Sequence, residues 1–347
     1  LKIKSIPELE KACQSDRLLK LEGFGAKSQD NILKGVAFIK GHTGQHLFHQ
    51  AYEPAKELLD MLLDLREVQR ASIAGSLRRR KEIIKDIDII TSSKNPKKLG
   101  DLFVKFPQVF DVIGHGETKC SVTLKSGLNC DLRIVSDDEY PYALHHFTGS
   151  KEHNIAIRSR AQEKFGIKVG EWGLFKGKKL IRCKDEEEIY ETLKLQYIPP
   201  ELREDMGEIE LAEKGKIPSL VEETDIQGIF HNHSTWSDGT ASIKEMALAA
   251  KKAGFKYIGM SDHSQAAAKY KKIIGINASP HRFDIDWRLG PLLREHGVKV
   301  SINPDAHTID GILDTFYGVG IARKAGLTKK DVINTLSVKA VVSVMCA

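Results

Sequence analysis

The stretch from Gly75 to Asp88, GSLRRRKEIIKDID, sets five cations (Arg78, Arg79, Arg80, Lys81 and Lys85) ahead of Asp86 and Asp88, two aspartates one residue apart. On a strand, residues i and i+2 share a face. The two carboxylates then point one way while Ile87 and Ile89 point the other and bury. A lone pair of acids is more often a solvated face than a site. Asp131, in a segment NCDLRIV that can pair beside DIDII, supplies a third. Three aspartates with open positions suit Mg²⁺, which keeps water and substrate phosphate as its other ligands. Two such ions about 3.5–4 Å apart activate a hydroxyl and neutralise a leaving pyrophosphate. Upstream, Gly75 permits close backbone approach to a triphosphate, Ser76 offers a hydroxyl and Arg79 offsets developing charge. The chemistry implied is phosphoryl transfer from a nucleoside triphosphate. Arg78 and Arg80 read as a solvated loop, and Lys81 carries no assignment.

A second set of residues has a different character. FHNHSTWSDG places His231 and His233 two apart at a probable strand end with Asp238 in the following loop; MSDHS adds His263, and NPDAH adds Asp305 and His307. A lone histidine pair is usually structural, but three clusters at strand ends point to one pocket. Mixed histidine and carboxylate donors suit Mn²⁺, Zn²⁺ or Fe²⁺ better than an all-oxygen set does. The ends of parallel strands are also where α/β barrels place their sites. These residues predict a multinuclear phosphoesterase in which metal-activated hydroxide attacks a phosphodiester. Trp236, beside the metal loop, reads as a packing residue rather than a base-stacking one, and His281 as a surface residue.

The elements that must carry these groups follow from periodicity and punctuation. Residues 1–40 predict helices around EGFGAKS. There Gly23 and Gly25 allow a sharp turn, and the backbone N–H groups opening the second helix can hold a phosphate; a plain glycine-rich loop between helices explains the same residues. AYEPAKELLDMLLDLREV predicts a helix, QRASIAGS a short strand, PKKLGDLFVKF a helix, and ETKCSVTLKSGLNCDLRIV a hairpin turning at Lys125–Gly127. KEHNIAIRSRAQEKFG predicts another helix. The charged, Pro-containing stretch over 199–226 reads as a linker. From GIFHNHS onward strands alternate with helices, as in a parallel α/β layer or barrel.

At 347 residues the chain is long enough for two or three domains with real cores. With 41% hydrophobic and 29% charged residues it is globular in composition. No apolar run nears the ~20 residues of a membrane span. Five scattered cysteines without a CxxC pair argue against a disulfide framework and a cysteine zinc site, and favour a reducing compartment. The net charge of +6 only weakly favours nucleic acid; its local clustering says more. The opening LKIKSIPELE has neither Met nor a signal-peptide core and reads as an internal start of a longer chain.

GSLRR ahead of DID, then GETK, CDLR and HFTGSKEHNIAIR, together resemble the X family of DNA polymerases, the gap-filling repair enzymes, over residues 1–210. The resemblance implies that Asp86 and Asp88 bind both metals, and that Asp131 binds the catalytic metal and helps deprotonate the primer 3′-OH. It implies that Gly75, Ser76 and Arg79 hold the triphosphate, that Phe147 and Gly149 line the sugar, and that Asn154 reaches the minor-groove edge of the base. Arg158 would touch the template, Lys119 the DNA backbone, and Gly23, Gly25 and Lys27 a phosphate nearby. The chain departs from the pattern at His146, where animal members commonly carry Tyr, at Lys85, where a small residue is common, and at Asn129, where some relatives have Arg. The family's N-terminal lyase domain has no counterpart.

The histidine-rich segment resembles a PHP (polymerase and histidinol phosphatase) domain, which follows the polymerase core in bacterial members and is associated with metal-dependent 3′→5′ exonuclease activity. The family's intervening metal motifs, a Glu and two histidines, are missing between SDHSQAAAKYKK and IIGINASPHRFD. The 118 residues from 230 to 347 are also few for a seven-stranded barrel. AAAKYKKIIGIN reads as a join between unrelated pieces. The expected fold is multidomain α/β: helix-hairpin-helix fingers over 1–50, a nucleotidyltransferase palm over 51–140, an α+β thumb over 141–198, the linker, and a (β/α)7 PHP barrel, incomplete in this chain, over 227–347. The expected cofactors are Mg²⁺ or Mn²⁺ at the polymerase site and a Mn²⁺ or Zn²⁺ cluster in the PHP domain. The expected partners are gapped or nicked DNA and deoxynucleoside triphosphates (dNTPs), for a monomer in the bacterial cytoplasm, near the nucleoid and off the membrane. The rival readings are a template-independent nucleotidyltransferase, which the hairpin and HFTGS disfavour, and a non-catalytic DNA-end-binding protein.

Overall fold

The computed structural model describes residues 3, 6–18, 21, 25, 29, 32–33, 44–261, 273–281 and 285–346. The chain divides into two units, Leu1–His46 and Leu47–Ala347. In the first, helix α1 (Ile6–Gln14) contributes Ala12 and Cys13 to a small cluster with Leu18, and the Gln29 amide donates to Asp16 at 2.8 Å. The expected phosphate-binding residues Gly23 and Lys27 lie outside the described residues. Gly25 is exposed, and its carbonyl accepts from the Gln29 N–H at 3.1 Å.

The second unit begins with α2 (Phe48–Leu63). Its residues Phe48, Ala51, Ala55, Leu58 and Leu62 recur every three or four positions and all bury, the stripe expected of a helix lying on a sheet. That sheet has five strands: β1 (Val68–Ile73), β2 (Asp86–Ser93), β3 (Val109–His115), β4 (Lys119–Leu124) and β5 (Asn129–Val135), in the order β1-β2-β5-β4-β3. The pair β2–β5 is parallel, and the others are antiparallel. The one-turn helix α3 (Gly75–Arg78) follows β1, and α4 (Pro96–Phe103), capped by Asn95, follows β2. Ile87 and Ile89 are fully buried in the cluster beneath α2, each worth roughly 1.5–3 kcal/mol of burial. The β4–β5 hairpin turns at Gly127, where the sequence predicts it.

Next come α5 (Tyr140–Thr148) and α6 (Lys151–Phe165), then a three-stranded antiparallel sheet of β6 (Ile167–Gly170), β7 (Gly173–Lys176) and β8 (Lys179–Ile181), then α7 (Glu186–Thr192). The stretch read as a linker is largely folded. It carries a 3-10 turn at Pro200–Leu202 and helix α8 (Glu208–Glu213), with Ile209 and Ala212 in the same core as α6 and α7. Three of its charged residues, Glu201, Arg203 and Glu208, are buried, while Glu210, Glu213, Lys214 and Lys216 are exposed. Arg203 is fully buried between the rings of Tyr190 (5.2 Å) and Tyr197 (5.4 Å) and pairs with Glu186. Periodicity cannot register a charged residue whose partner lies 17 positions away.

The C-terminal layer is built from parallel strands, as alternation predicts. β9 (Gly228–Asn232) pairs with β10 (Tyr257–Met260) across α9 (Ile243–Lys252), which opens on a Ser242/Glu245 capping box. β11 (Ile273–Asn277) pairs with β12 (Lys299–Asn303), with α10 (Gly290–Glu295) between. A bridge from Asn232 to Ala306 joins the two pairs. The buried Asn334 amide ties them further, donating to Gly228 O (3.0 Å) and Ile302 O (2.8 Å) while its own oxygen accepts from Ile302 N (2.7 Å). Among the described residues no sheet closes on itself. Helix α11 (Thr315–Lys324) then packs between this layer and α2: Phe316 lies 5.0 Å from Tyr52, and Tyr317 meets Phe48 edge-on at 6.3 Å.

Candidate active sites

The in-register parallel pairing of β2 and β5 sets Asp86 opposite Asn129 and Asp88 opposite Asp131. The three expected carboxylates therefore occupy one face at one end of two adjacent strands, with Asp86 exposed and the other two half-buried. Burial, followed by the charges of Asp86 and Asp131, pushes the Asp88 carboxyl up to about 7. A cation among the three carboxylates would offset that mutual repulsion and bring the Asp88 pKa back down. Asp131 is fixed by the Ser121 hydroxyl (2.6 Å) and by the Lys119 ammonium (2.7 Å). Lys119, expected on the DNA backbone, thus sits on the third aspartate. Among the described residues the three aspartates do not form a group with ligand atoms all within 4.8 Å of one another.

The Gly75–Ser76 turn is fastened to this edge. The Ala74 N–H donates to the Asp88 carbonyl at 2.8 Å, and Gly75 has φ +61 with its α-carbon against the Asp88 carboxylate. The cations that follow are not a solvated loop. Arg78 donates to the Thr148 hydroxyl (2.7 Å) and pairs with Glu186 (2.6 Å). Arg79 donates to the Thr148 carbonyl (2.8 Å) and to Glu204 (3.0 Å). Arg80 stacks on Phe316 (4.7 Å) between Glu201 and Glu223, each 3.8 Å away. Lys81 stands 5.4 Å above the Trp287 ring. Partners distant in sequence, unseen in the run itself, turn Arg78 and Arg80, which read as solvated, into parts of a junction together with Arg79 and Lys81. Arg79, expected on a triphosphate, here engages Glu204.

Thr148 belongs to HFTG, so α5 ends against α3. Asn154 closes the turn by donating to the carbonyls of His146 (2.8 Å) and Gly149 (3.1 Å). A Cβ on Gly149 would stand 2.8 Å from the Asn154 oxygen, so the turn needs glycine. Phe147 lies under the Arg133 guanidinium at 4.0 Å, and the His146 ring meets it edge-on at 4.9 Å. Arg158 is exposed and donates to the Asn154 carbonyl. Within α7 and α8, Arg203 and then Arg78 outweigh burial and hold Glu186 down at about 2, while His153 contacts Glu208 at 2.5 Å.

The second site assembles from the C-terminal layer. The Asn232–Ala306 bridge carries β9 alongside the Asp305–His307 loop. His231, His233 and Asp305 form one group with ligand atoms within 4.8 Å, and His233, Asp238 and His307 form another, so His233 belongs to both. Its Nε2 lies 3.2 Å from Asp305 and its Nδ1 3.3 Å from Asp238; the Nε2 of His231 is 3.2 Å from Asp305, and that of His307 is 3.3 Å from Asp238. His231 (φ 58) and Asp305 (φ 56) adopt left-handed backbone, an unfavourable choice for both that turns the two side chains toward each other. This mixed nitrogen and oxygen set fits a transition-metal pair. His263 lies outside the described residues.

Sequence reading misses Asn277, whose amide donates to Asp305 at 2.9 Å. It ends a strand with no motif around it. Asn277 and then the three histidines hold the Asp305 carboxyl low against burial. Trp236 is 81% exposed, contrary to the packing role expected of it. His281 is exposed, as expected, and stands edge-on to His49.

Two family models match parts of the chain. The family model for the DNA polymerase beta thumb matches residues 143–204, ending inside the segment read as linker, and that for the PHP domain matches residues 230–296. The chain is 36% identical over 261 residues to the DNA polymerase/3′-5′ exonuclease PolX of Bacillus subtilis, covering 74% of this chain and 45% of that protein. It is 31% identical over 140 residues to the repair DNA polymerase X of African swine fever virus, covering 37% of this chain and 78% of the viral protein. This chain belongs to the X family of DNA polymerases, in the bacterial form that carries a PHP domain. It spans under half the length of the Bacillus relative. The ternary primer/template complex of Leishmania infantum polymerase beta aligns at 21% identity with a TM-score of 0.41, covering 58% of this chain and 89% of that one. No described helix is long and apolar enough to cross a membrane.

Proposed function

We propose that this chain fills short gaps in DNA by template-directed addition of dNTPs. The observation that carries the proposal is the in-register placement of Asp88 beside Asp131, with the Gly75–Ser76 turn fastened against Asp88. Asp86, Asp88 and Asp131 would hold Mg²⁺ or Mn²⁺, which when bound supplies Lewis-acid activation of the primer hydroxyl and neutralises the departing pyrophosphate. Asp131, steadied by Ser121, is placed to take the proton of the 3′-OH as its oxygen bonds to the α-phosphorus and pyrophosphate leaves. Gly75 and Ser76 bind the triphosphate, and Arg79 turns from Glu204 toward it. Phe147, backed by Arg133, and Gly149 form the sugar wall; His146 adjoins that wall and bears on sugar choice. Asn154 reads the base edge, and Arg158 and Lys119 serve DNA, Lys119 on leaving Asp131. The division into fingers, palm, thumb, linker and PHP domain given by the sequence goes with this function, as does a monomeric protein of the bacterial cytoplasm acting on gapped or nicked DNA.

The test is extension of a labelled primer across a one-nucleotide gap, each dNTP supplied singly, for the parent and Asp131→Ala. Addition of the complementary nucleotide alone, lost in the variant, supports the proposal. Addition that ignores the template favours a template-independent transferase, and DNA binding without turnover favours an end-binding protein.

A second activity is favoured by the sharing of His233 between two ligand groups. We propose that this site, as Mn²⁺ or Zn²⁺ cluster, removes 3′ nucleotides, the activity that the name of the Bacillus relative states for that protein. Release of 3′-terminal label in the parent, absent in His233→Ala, tests it; loss of label from the 5′ end instead would reverse the assigned polarity.

A further inference from the structure

The PHP segment reaches into the polymerase nucleotide loop through one buried lysine. Lys324, at the end of α11, is 3% exposed, and its ammonium has three donors. They go to the Arg79 carbonyl (3.0 Å), the Glu201 carbonyl (3.3 Å) and Glu204 Oε1 (2.7 Å). All three acceptors lie N-terminal to the PHP segment, and the Trp287 ring, 4.5 Å from the ammonium, covers it. Burying an ammonium is costly unless each donor is met, so a lysine in this place serves its acceptors rather than the core of its own layer.

Glu204 Oε1 is shared, accepting from Lys324 and from the Arg79 Nε at 3.0 Å. Lys324, Glu204 and Arg79 together carry one net positive charge. Take Lys324 away and Glu204 with Arg79 becomes a neutral, self-satisfied pair.

We propose that Lys324 is a positioning residue for nucleotide binding: by neutralising Glu204 and holding the Arg79 main chain, it leaves the Arg79 guanidinium charge available to an incoming triphosphate. This rests on the reading of Arg79 as a triphosphate ligand. The polymerase activity then depends on the PHP segment for substrate affinity, quite apart from any chemistry at the histidine cluster.

The test uses the whole chain in the single-nucleotide gap assay, with KM for the dNTP and kcat measured separately. Lys324→Met is expected to raise KM about tenfold or more, the size of one lost charge-assisted hydrogen bond, with a smaller change in kcat. Adding Glu204→Gln should return KM to near the parental value, and Lys324→Arg should keep most of the affinity. An unchanged KM in Lys324→Met, or a double variant that melts cooperatively yet keeps the raised KM, overturns the proposal. If Lys324→Met does not fold, the double variant decides alone: parental KM supports, a tenfold rise overturns. Arg79→Gln separates the two levels. If that change leaves KM unmoved, the underlying assignment of Arg79 fails and this inference with it; if it raises KM while Lys324→Met does not, only the inference falls.

Discussion

A Cβ added to Gly75 would stand 2.2 Å from Asp88 Oδ2, so the turn that would meet the triphosphate and the carboxylate that would meet the metal occupy one space. Gly75 also has φ +61, where a side chain strains the backbone by about 1–3 kcal/mol. Gly75→Ala should therefore lower the melting temperature and displace Asp88 together, abolishing primer extension. A variant that extends primers at the parental rate would show that the close approach is dispensable.

The raised Asp88 pKa gives a signed pH dependence. Its folded value of about 7 lies above the ordinary carboxylate value, so without metal the folded state holds a proton that the unfolded chain releases. That contribution is full below about 4 and is lost as pH rises to about 7. Metal-free Asp88→Asn should thus be more stable than the parent at pH 7.5, with the two converging at low pH. Added Mg²⁺ should stabilise the parent and not the variant. Thermal melts across pH, with and without Mg²⁺, check this, and identical pH profiles would contradict it.

Glu186 titrates in the opposite sense. Arg203 and Arg78 outweigh burial and hold it at about 2, so its contribution is present above the ordinary glutamate value and drains away as pH falls from about 4.5 toward 2. Glu186→Gln should cost about 3–5 kcal/mol at neutral pH, because Arg203 is left buried without its counter-charge. Chemical denaturation at pH 7 and pH 3 should show that cost shrinking in acid.

His233 lies in both ligand groups, so His233→Ala should remove bound transition metal from the PHP site altogether, while Asp238→Ala should leave the His231, His233 and Asp305 group able to hold one ion. Metal content after dialysis, measured by elemental analysis, reads this directly. Gap filling should be unchanged in both variants.

Much of the polymerase half was legible because its signals are local. Alternation in DIDII predicts which residues bury, and helical spacing in AYEPAKELLDMLLDLREV predicts the helix beneath which Ile87 and Ile89 pack, although the structure starts it earlier, at Phe48, and ends it at Leu63. Gly-Ser, HFTG and the histidine pairs announce chemistry by residue type. Asn277 and Glu204 were not legible, for they act through contacts made across the fold, Asn277 with Asp305 and Glu204 with both Arg79 and Lys324. Lys119 was legible as a cation but not as the partner of Asp131, which depends on register between β4 and β5.

The run RRRK marks the division most sharply. By itself the sequence determined that positive charge stands ahead of two aspartates and that those aspartates share a strand face, because the period of a strand is two residues. Only the tertiary structure decided where each charge goes: Arg78 to Glu186, Arg79 to Glu204, Arg80 to Phe316 and Lys81 to Trp287. Each partner lies over 100 positions away, and a buried charge settles on whichever acid or ring the fold brings within reach, since leaving it unpaired costs more than any local preference can return.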